Sequence, residues 1–375
     1  MGAHALLSAS ASHRWLVCTP SARLESQFPD KSSPYAEEGT AAHALAERTL
    51  KDFLTGGDGR VSCDDKEMQE AVQLYVDTCV EKINAAWKAS PDAKTLVEHR
   101  LDFSAFVPQG FGTGDLVIVS DGGLEICDLK YGKGVKVDAE ENSQMMLYAL
   151  GALHEYGWLY DIGRVRMTII QPRIDNISSW EIPEADLLHW GMNVRQTAKK
   201  AYAGEGEYKA GPHCRFCRAR AVCRACAEAM KAHIVDGLKP GPELEDYEIS
   251  DILEHSKEIK NWLDGVEAYA MGKALSGTKW PGMKLVAGRS TRKIADEAAA
   301  AASLIAAGYS DIYRPQTLRT ITELEKLCGK KHFAEILGAN IQKTEGKPAL
   351  VPESDKRPEM EIGDIRDDFE GIPLF

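Results

Sequence analysis

Gly112-Thr-Gly-Asp115-Leu-Val-Ile-Val-Ser-Asp-Gly-Gly123-Leu-Glu-Ile-Cys-Asp128-Leu-Lys130 is the stretch on which the reading of this chain turns. Two apolar runs, Gly114–Ser120 and Gly123–Leu129, meet at Ser120-Asp-Gly-Gly123, and turn residues between β-branched runs predict a hairpin. Alternation along the second run puts Asp128 and Lys130 on one face, with Cys127 and Leu129 on the other. The first run carries Asp115, so carboxylates from adjacent strands converge. Oxygen ligands of that kind suit a hard cation such as Mg²⁺ or Mn²⁺. Lys130 beside them is placed to orient a water and to stabilise charge developing on a phosphate. An Asp-x-Lys alone is more often an exposed edge or a surface ion pair. Asp115, thirteen residues upstream of Asp128 across a tight turn, makes a reactive centre the better reading.

Working outward, Thr95–Phe103 reads as a third strand ahead of the hairpin. Residues 37–53 and 66–88 have apolar positions at helical spacing, and Thr55-Gly-Gly-Asp-Gly-Arg60 between them reads as a loop. After Lys130 come a helix at 139–156, a strand at Arg164–Gln171 closed by Pro172, and a helix at 184–203. The order helix, three strands, helix, strand defines an α/β domain over residues 1–236. Past Gly237-Leu-Lys-Pro-Gly-Pro242 the composition changes. Residues 243–350 predict a mainly helical accessory domain: a long helix at 247–275, a short strand at Met283–Val286, and helices at 294–307 and 320–337. Residues 351–375 form an acidic, extended tail.

The composition bounds what such a chain does. Its 375 residues carry a formal net charge of −12, which repels a polyanion unless positive charge is concentrated locally. Residues 195–231 concentrate it, with nine Lys/Arg against three Glu, although on charge alone such a run is a solvated surface. No signal peptide and no apolar stretch of roughly 20 residues is apparent, so a cytoplasmic protein without a membrane anchor is expected. Nine cysteines in a reducing compartment argue against a disulfide framework. Cys63, Cys79, Cys127 and Cys328 are scattered and read as small buried hydrophobes. Cys214, Cys217, Cys223 and Cys226 fall within thirteen residues and offer thiolates to a metal, with zinc suited to four of them.

At this point the chain resembles a family. Gly39-Thr-Ala-Ala-His43, Asp115, Asp128-Leu129-Lys130 and Gln144-Met-Met-Leu-Tyr148 match, in order, motifs of the RecB-type branch of the PD-(D/E)XK nucleases, over roughly residues 10–230. The resemblance implies a restriction-endonuclease-like core with added helices. It implies a Mg²⁺ or Mn²⁺ ion held by His43, Asp115, Asp128 and the Leu129 carbonyl, with Lys130 positioning the attacking water. Gln144 and Tyr148, four apart, share a helix face toward DNA or the catalytic centre. Glu98 and Glu47 are second candidates for the metal or its surroundings. Taken singly, His43 is an ordinary helix histidine, Gln144 a polar contact and Tyr148 a core aromatic; the ordered set outweighs those readings.

The cysteines acquire a second meaning in the same light. Ser12-His-Arg-Trp-Leu-Val-Cys18-Thr-Pro20 with Cys214-x2-Cys217-x5-Cys223 is similar to the iron–sulfur nucleases, namely the CRISPR adaptation exonucleases and helicase–nuclease subunits. There, a remote cysteine joins a C-terminal trio to hold a structural [4Fe–4S] cluster. That reading is preferred to Zn²⁺ because Cys18 is so remote and so well matched, with Cys226 as a spare or substitute ligand. Arg215, Arg218, Arg220 and Arg224 then become candidate phosphate contacts.

Two C-terminal stretches, Trp280–Arg292 and Leu350–Arg357, resemble a family of uncharacterised phage and prophage proteins on this core. That resemblance implies phage recombination or replication in a bacterial host. The ending Asp367-Asp-Phe-Glu-Gly-Ile-Pro-Leu-Phe375 is similar to the acidic tail of single-stranded-DNA-binding proteins, and a recombination or single-strand-binding partner is a candidate for it. A plain acidic end remains the simpler reading. The expectation is a metal-dependent DNA nuclease, an exonuclease acting on single- or double-stranded ends. The competing expectations are a catalytically silent nucleic-acid-binding scaffold on the same fold, or a zinc-stapled adaptor.

Overall fold

A computed structural model describes residues 5–29, 34–235, 244–314, 317–352 and 357–360. The chain divides into two compact units, Met1–Ile259 and Lys260–Phe375. The Gly237–Pro242 segment, where a boundary was expected, lies outside the described residues, as does the acidic tail from residue 361.

The first unit is a mixed α/β structure around a five-stranded sheet. Its strands are β1 (Lys94–Asp102), β2 (Phe111–Ser120), β3 (Gly123–Leu129), β4 (Arg164–Gln171) and β5 (Asn176–Pro183), in spatial order of number. β1, β2 and β3 run antiparallel, β3 and β4 parallel, β4 and β5 antiparallel. A parallel step needs a crossover, and the helix Ser143–Tyr156 between β3 and β4 supplies it. Asn142 starts that helix by accepting from the backbone N–H groups of Gln144 and Met145.

Both faces of the sheet are covered, which requires strands apolar on each side. The helices of this unit are α1 (Ser12–Trp15), α2 (Ser21–Glu25), α3 (Pro34–Leu54), α4 (Lys66–Ala89), α5 (Ser143–Tyr156), α6 (Glu184–Ala203), α7 (Arg224–Val235) and the first part of α8 (Asp246–Leu275). Val117, Val119 and Ile126 pack with Met145, Leu147 and Leu150 of α5. Leu116, Ile118, Cys127 and Leu129 pack with Leu45 of α3 and Val72, Tyr75 and Val76 of α4. The period of two along β2 thus feeds two separate apolar cores.

The N-terminal segment is tied to the far end of the unit. Thr19 Oγ1 donates to the Glu205 carbonyl at 2.5 Å, and Arg23 Nε donates to the Tyr202 carbonyl at 2.7 Å. Arg14 and Glu25, each 6% exposed, form a buried ion pair, and Glu25 Oε1 also accepts from the Arg218 N–H at 2.9 Å.

In the second unit, β6 (Met283–Ile294) and β9 (Ile341–Pro352) form an antiparallel ribbon with register shifts around Gly288. Two two-residue strands, β7 (Tyr313–Arg314) and β8 (Thr317–Leu318), pair beside helices α9 (Glu297–Ala306), α10 (Ile321–Cys328) and α11 (Lys330–Leu337). Leu304, Ile312, Leu324, Phe333 and Leu337 make its core. The expected short strand Met283–Val286 is therefore the start of a 12-residue one. The expected helix 320–337 is two helices, broken at Gly329, whose φ of 77° an L-residue rarely adopts. No helix among the described residues is long and apolar enough to cross a membrane.

Candidate metal centre

The acidic centre lies where α3 passes the middle of β1 and β2 and the end of β3. Register places Glu98 of β1 opposite Asp115 of β2, between the pairs Val97–Leu116 and His99–Gly114. Glu98 has φ of 51°, a left-handed backbone costly for a residue with a Cβ and concentrated in proteins at functional positions. His43 of α3 comes in from above, its Nδ1 3.3 Å from Asp115 Oδ2 and 4.0 Å from Glu98 Oε1. One donor atom from each of His43, Glu98 and Asp115 lies within 4.8 Å of the others. Asp115 Oδ2 also accepts from the Leu129 N–H at 2.7 Å, which locks the second strand to the end of the third.

Asp128 stands beside this trio rather than within it. Its carboxylate, on a residue 3% exposed, meets Lys130 Nζ at 2.8 Å and Gln144 Nε2 at 3.2 Å. Lys130 Nζ donates to Gln144 Oε1 at 3.1 Å, and Gln144 Nε2 donates to the Tyr148 hydroxyl at 3.2 Å. The helical spacing of Gln144 and Tyr148 thus puts both on the side of α5 that faces Asp128. Gly112 permits this: a Cβ there would lie 2.6 Å from Tyr148 Cε1. Glu47 is engaged one turn along its own helix by Lys51 at 2.6 Å. Leu129 lines the cleft and is otherwise buried.

The electrostatics follow from burial among like charges. Desolvation, then the Asp115 charge, pushes the Glu98 carboxyl up to about 7. Burial raises Asp128 as well, despite Lys130. Burial opposes the charge on Lys130, but Asp128 and then Asp115 more than offset it and hold the ammonium. His43 is drawn down by desolvation and up, by more, through its bond to Asp115. Three acceptors crowding one imidazole fit a hard divalent cation, whose charge would offset their repulsion.

The trio opens into a cleft of 1030 Å³, whose walls include Lys130, Arg173, Arg215 and Phe216. Of the four arginines singled out in the sequence, the structure brings Arg215 to this cleft. Arg218 lies 3.6 Å from Glu25, and Arg220 donates to the Arg215 carbonyl at 3.2 Å. Arg224 is exposed at the start of α7.

The cysteines are only partly gathered. Cys18 is buried, its sulfur accepting from the Lys209 N–H at 3.4 Å, so the N-terminal segment does reach the stretch just before the cysteine loop. Cys214, however, pairs with Cys226, whose thiol pulls Cys214 down to about 6 and is itself pushed up. Burial pushes Cys217 up to about 11. Among the described residues no three cysteine sulfurs lie within 4.8 Å of one another. Cys226, a spare in the sequence reading, is thus the one the fold places on Cys214. Glu98 is the residue the sequence undervalued; the signal was its register opposite Asp115, legible only once β1 and β2 are paired.

Comparison with known proteins gives two findings. The family described as "Protein of unknown function (DUF2800)" matches residues 4–358. A solved structure titled "Crystal structure of SSO0001" is similar at 16% identity, over 49% of this chain and 95% of that one, with a TM-score of 0.22. A likeness that slight carries no argument about fold or function.

Proposed function

This chain belongs to the DUF2800 family, and we propose that it is a metal-dependent DNA nuclease of the PD-(D/E)XK kind, acting as an exonuclease on DNA ends. The observation that carries the reading is the convergence of His43, Glu98 and Asp115 within 4.8 Å, with the buried Asp128–Lys130 pair alongside. His43, Glu98 and Asp115 would hold Mg²⁺ or Mn²⁺, with Asp128 and the Leu129 carbonyl completing the set. A divalent cation there supplies Lewis-acid stabilisation of charge developing on a phosphate.

The rest is done by side chains. Lys130 keeps its ammonium because Asp128 faces it, and Gln144 fixes its direction by accepting its N–H. Fixed in this way, it orients a water toward the phosphorus and needs no reorganisation as charge builds. Tyr148 holds Gln144 from behind. Arg215, on the cleft wall, neutralises a neighbouring phosphate.

The test is degradation of end-labelled single- and double-stranded DNA by anaerobically purified protein with Mg²⁺ or Mn²⁺. Asp128→Ala and Lys130→Ala are run beside the parent. The proposal expects metal-dependent loss of label, reduced by about 100-fold or more in both variants, as for loss of a preorganised electrostatic group. A folded parent that binds DNA and never cuts it would instead indicate a silent nucleic-acid-binding scaffold.

A further inference from the structure

We propose that His233, His255 and Glu258 form a separate transition-metal site, of the kind that holds Zn²⁺, joining α7 to the first part of α8. One donor atom from each of the three lies within 4.8 Å of the others. The two imidazole rings are stacked, with centroids 3.9 Å apart and planes 22° apart, so α7 and α8 bring them into direct contact. His255 and Glu258, three apart on α8, present to the same side of that helix. Asp251, one turn before His255, adds a further carboxylate nearby, 3.9 Å from its Nε2.

The sequence accounts for this convergence. Cys226, Met230 and His233 recur at helical spacing, and the first two are each 4% exposed, so His233 sits on the inward-packing side of α7. Both histidines are half-buried, while Glu258 is exposed. Two imidazoles and one carboxylate form a three-ligand set that zinc accepts, with a fourth position left to water. Two imidazoles with one carboxylate distinguish this set from the cleft trio, whose one imidazole and two carboxylates suit harder ions. Glu258 is also near enough to Cys214 for its charge to oppose that thiolate, so the site adjoins the cysteine loop. An ion there would cross-link positions 22 residues apart and restrict the unfolded chain accordingly.

The site stands independently of the nuclease reading, and its test is chosen to keep the two apart. Full-length protein, stripped with a chelator, is titrated with Zn²⁺ against a competing indicator. The parent is compared with Asp115→Asn, which disables the cleft, and with His255→Ala and Glu258→Gln, which disable this site. One zinc equivalent should persist in Asp115→Asn. Its affinity should fall more than about tenfold in His255→Ala, exceeding the least that loss of an outer partner costs. If His255→Ala fails to fold, the exposed Glu258→Gln carries the comparison. Co²⁺ spectra assign the ligands. Weak visible bands lost in Glu258→Gln support the site. Weak visible bands unchanged in both His255→Ala and Glu258→Gln, or equal zinc affinity in parent and variants, would overturn it.

Discussion

Glu98→Gln is expected to stabilise the metal-free protein while removing its response to metal. The wild-type carboxyl is raised from 4.5 to about 7 by burial and by Asp115. At about 1.4 kcal/mol per tenfold change, that corresponds to about 3 kcal/mol of strain in the ionised form. The side chain is 24% exposed, and solvent screening reduces the figure to about 1–2 kcal/mol. The sign follows from proton binding: the folded state holds this proton more firmly than the unfolded chain. Stability present below 4.5 is therefore lost as pH rises through about 7. At pH 8 with EDTA, Glu98→Gln should exceed the parent by about 1–2 kcal/mol in urea unfolding, and the gap should close below pH 4.5. Mn²⁺ at about 100 times its dissociation constant adds about 2.7 kcal/mol to the parent, or about 5–10 °C in Tm. The variant should shift by less than about 2 °C. A variant less stable than the parent at pH 8 without metal, or one with an undiminished Mn²⁺ shift, would refute the assignment of Glu98 to a crowded cation site.

Three further outcomes are expected. Arg14→Met leaves the 6%-exposed Glu25 carboxylate without its main partner and should cost about 3–5 kcal/mol, read as a lowered urea midpoint. Gly112→Ala drives a methyl toward Tyr148 Cε1, 2.6 Å away, and should cost about 1–3 kcal/mol in thermal unfolding while weakening DNA cleavage through Gln144. If an iron–sulfur cluster staples the first unit, absorption at about 400 nm in anaerobic protein should disappear in both Cys18→Ser and Cys217→Ser and persist in Cys226→Ser; persistence in Cys18→Ser with loss in Cys226→Ser would assign the local cysteine set instead.

The hairpin β2–β3, the crossover helix and β4 were legible because period-two and helical spacings are strong where strands are buried on both faces. β5 was not legible: Asn176-Ile-Ser-Ser-Trp-Glu-Ile-Pro183 is an edge strand whose Ile177 is 51% exposed, so its alternation is broken. β9 was equally hidden, because Ile341–Pro352 is a strand only by virtue of β6, some fifty residues earlier. At the site, Asp128 and Lys130 announce themselves by alternation along one strand, Asp115 by its place across a tight turn, and Gln144 through the family resemblance. The place of Glu98 depends on which strand lies across from Asp115. That of His233 depends on how two helices pack. Pairing between elements is set by tertiary contacts, and local pattern does not encode it.

The clasp between the N-terminal segment and the far end of the first unit has a consequence for synthesis on the ribosome. Trp15 is fully buried and Glu25 is satisfied by Arg218, which emerges 193 residues later. At about 5–20 residues per second, that interval is about 10–40 s. Throughout it, an apolar indole and the acidic partner of Arg14 wait outside any finished structure. The early segment therefore cannot complete its contacts until the chain as far as Arg218 has emerged.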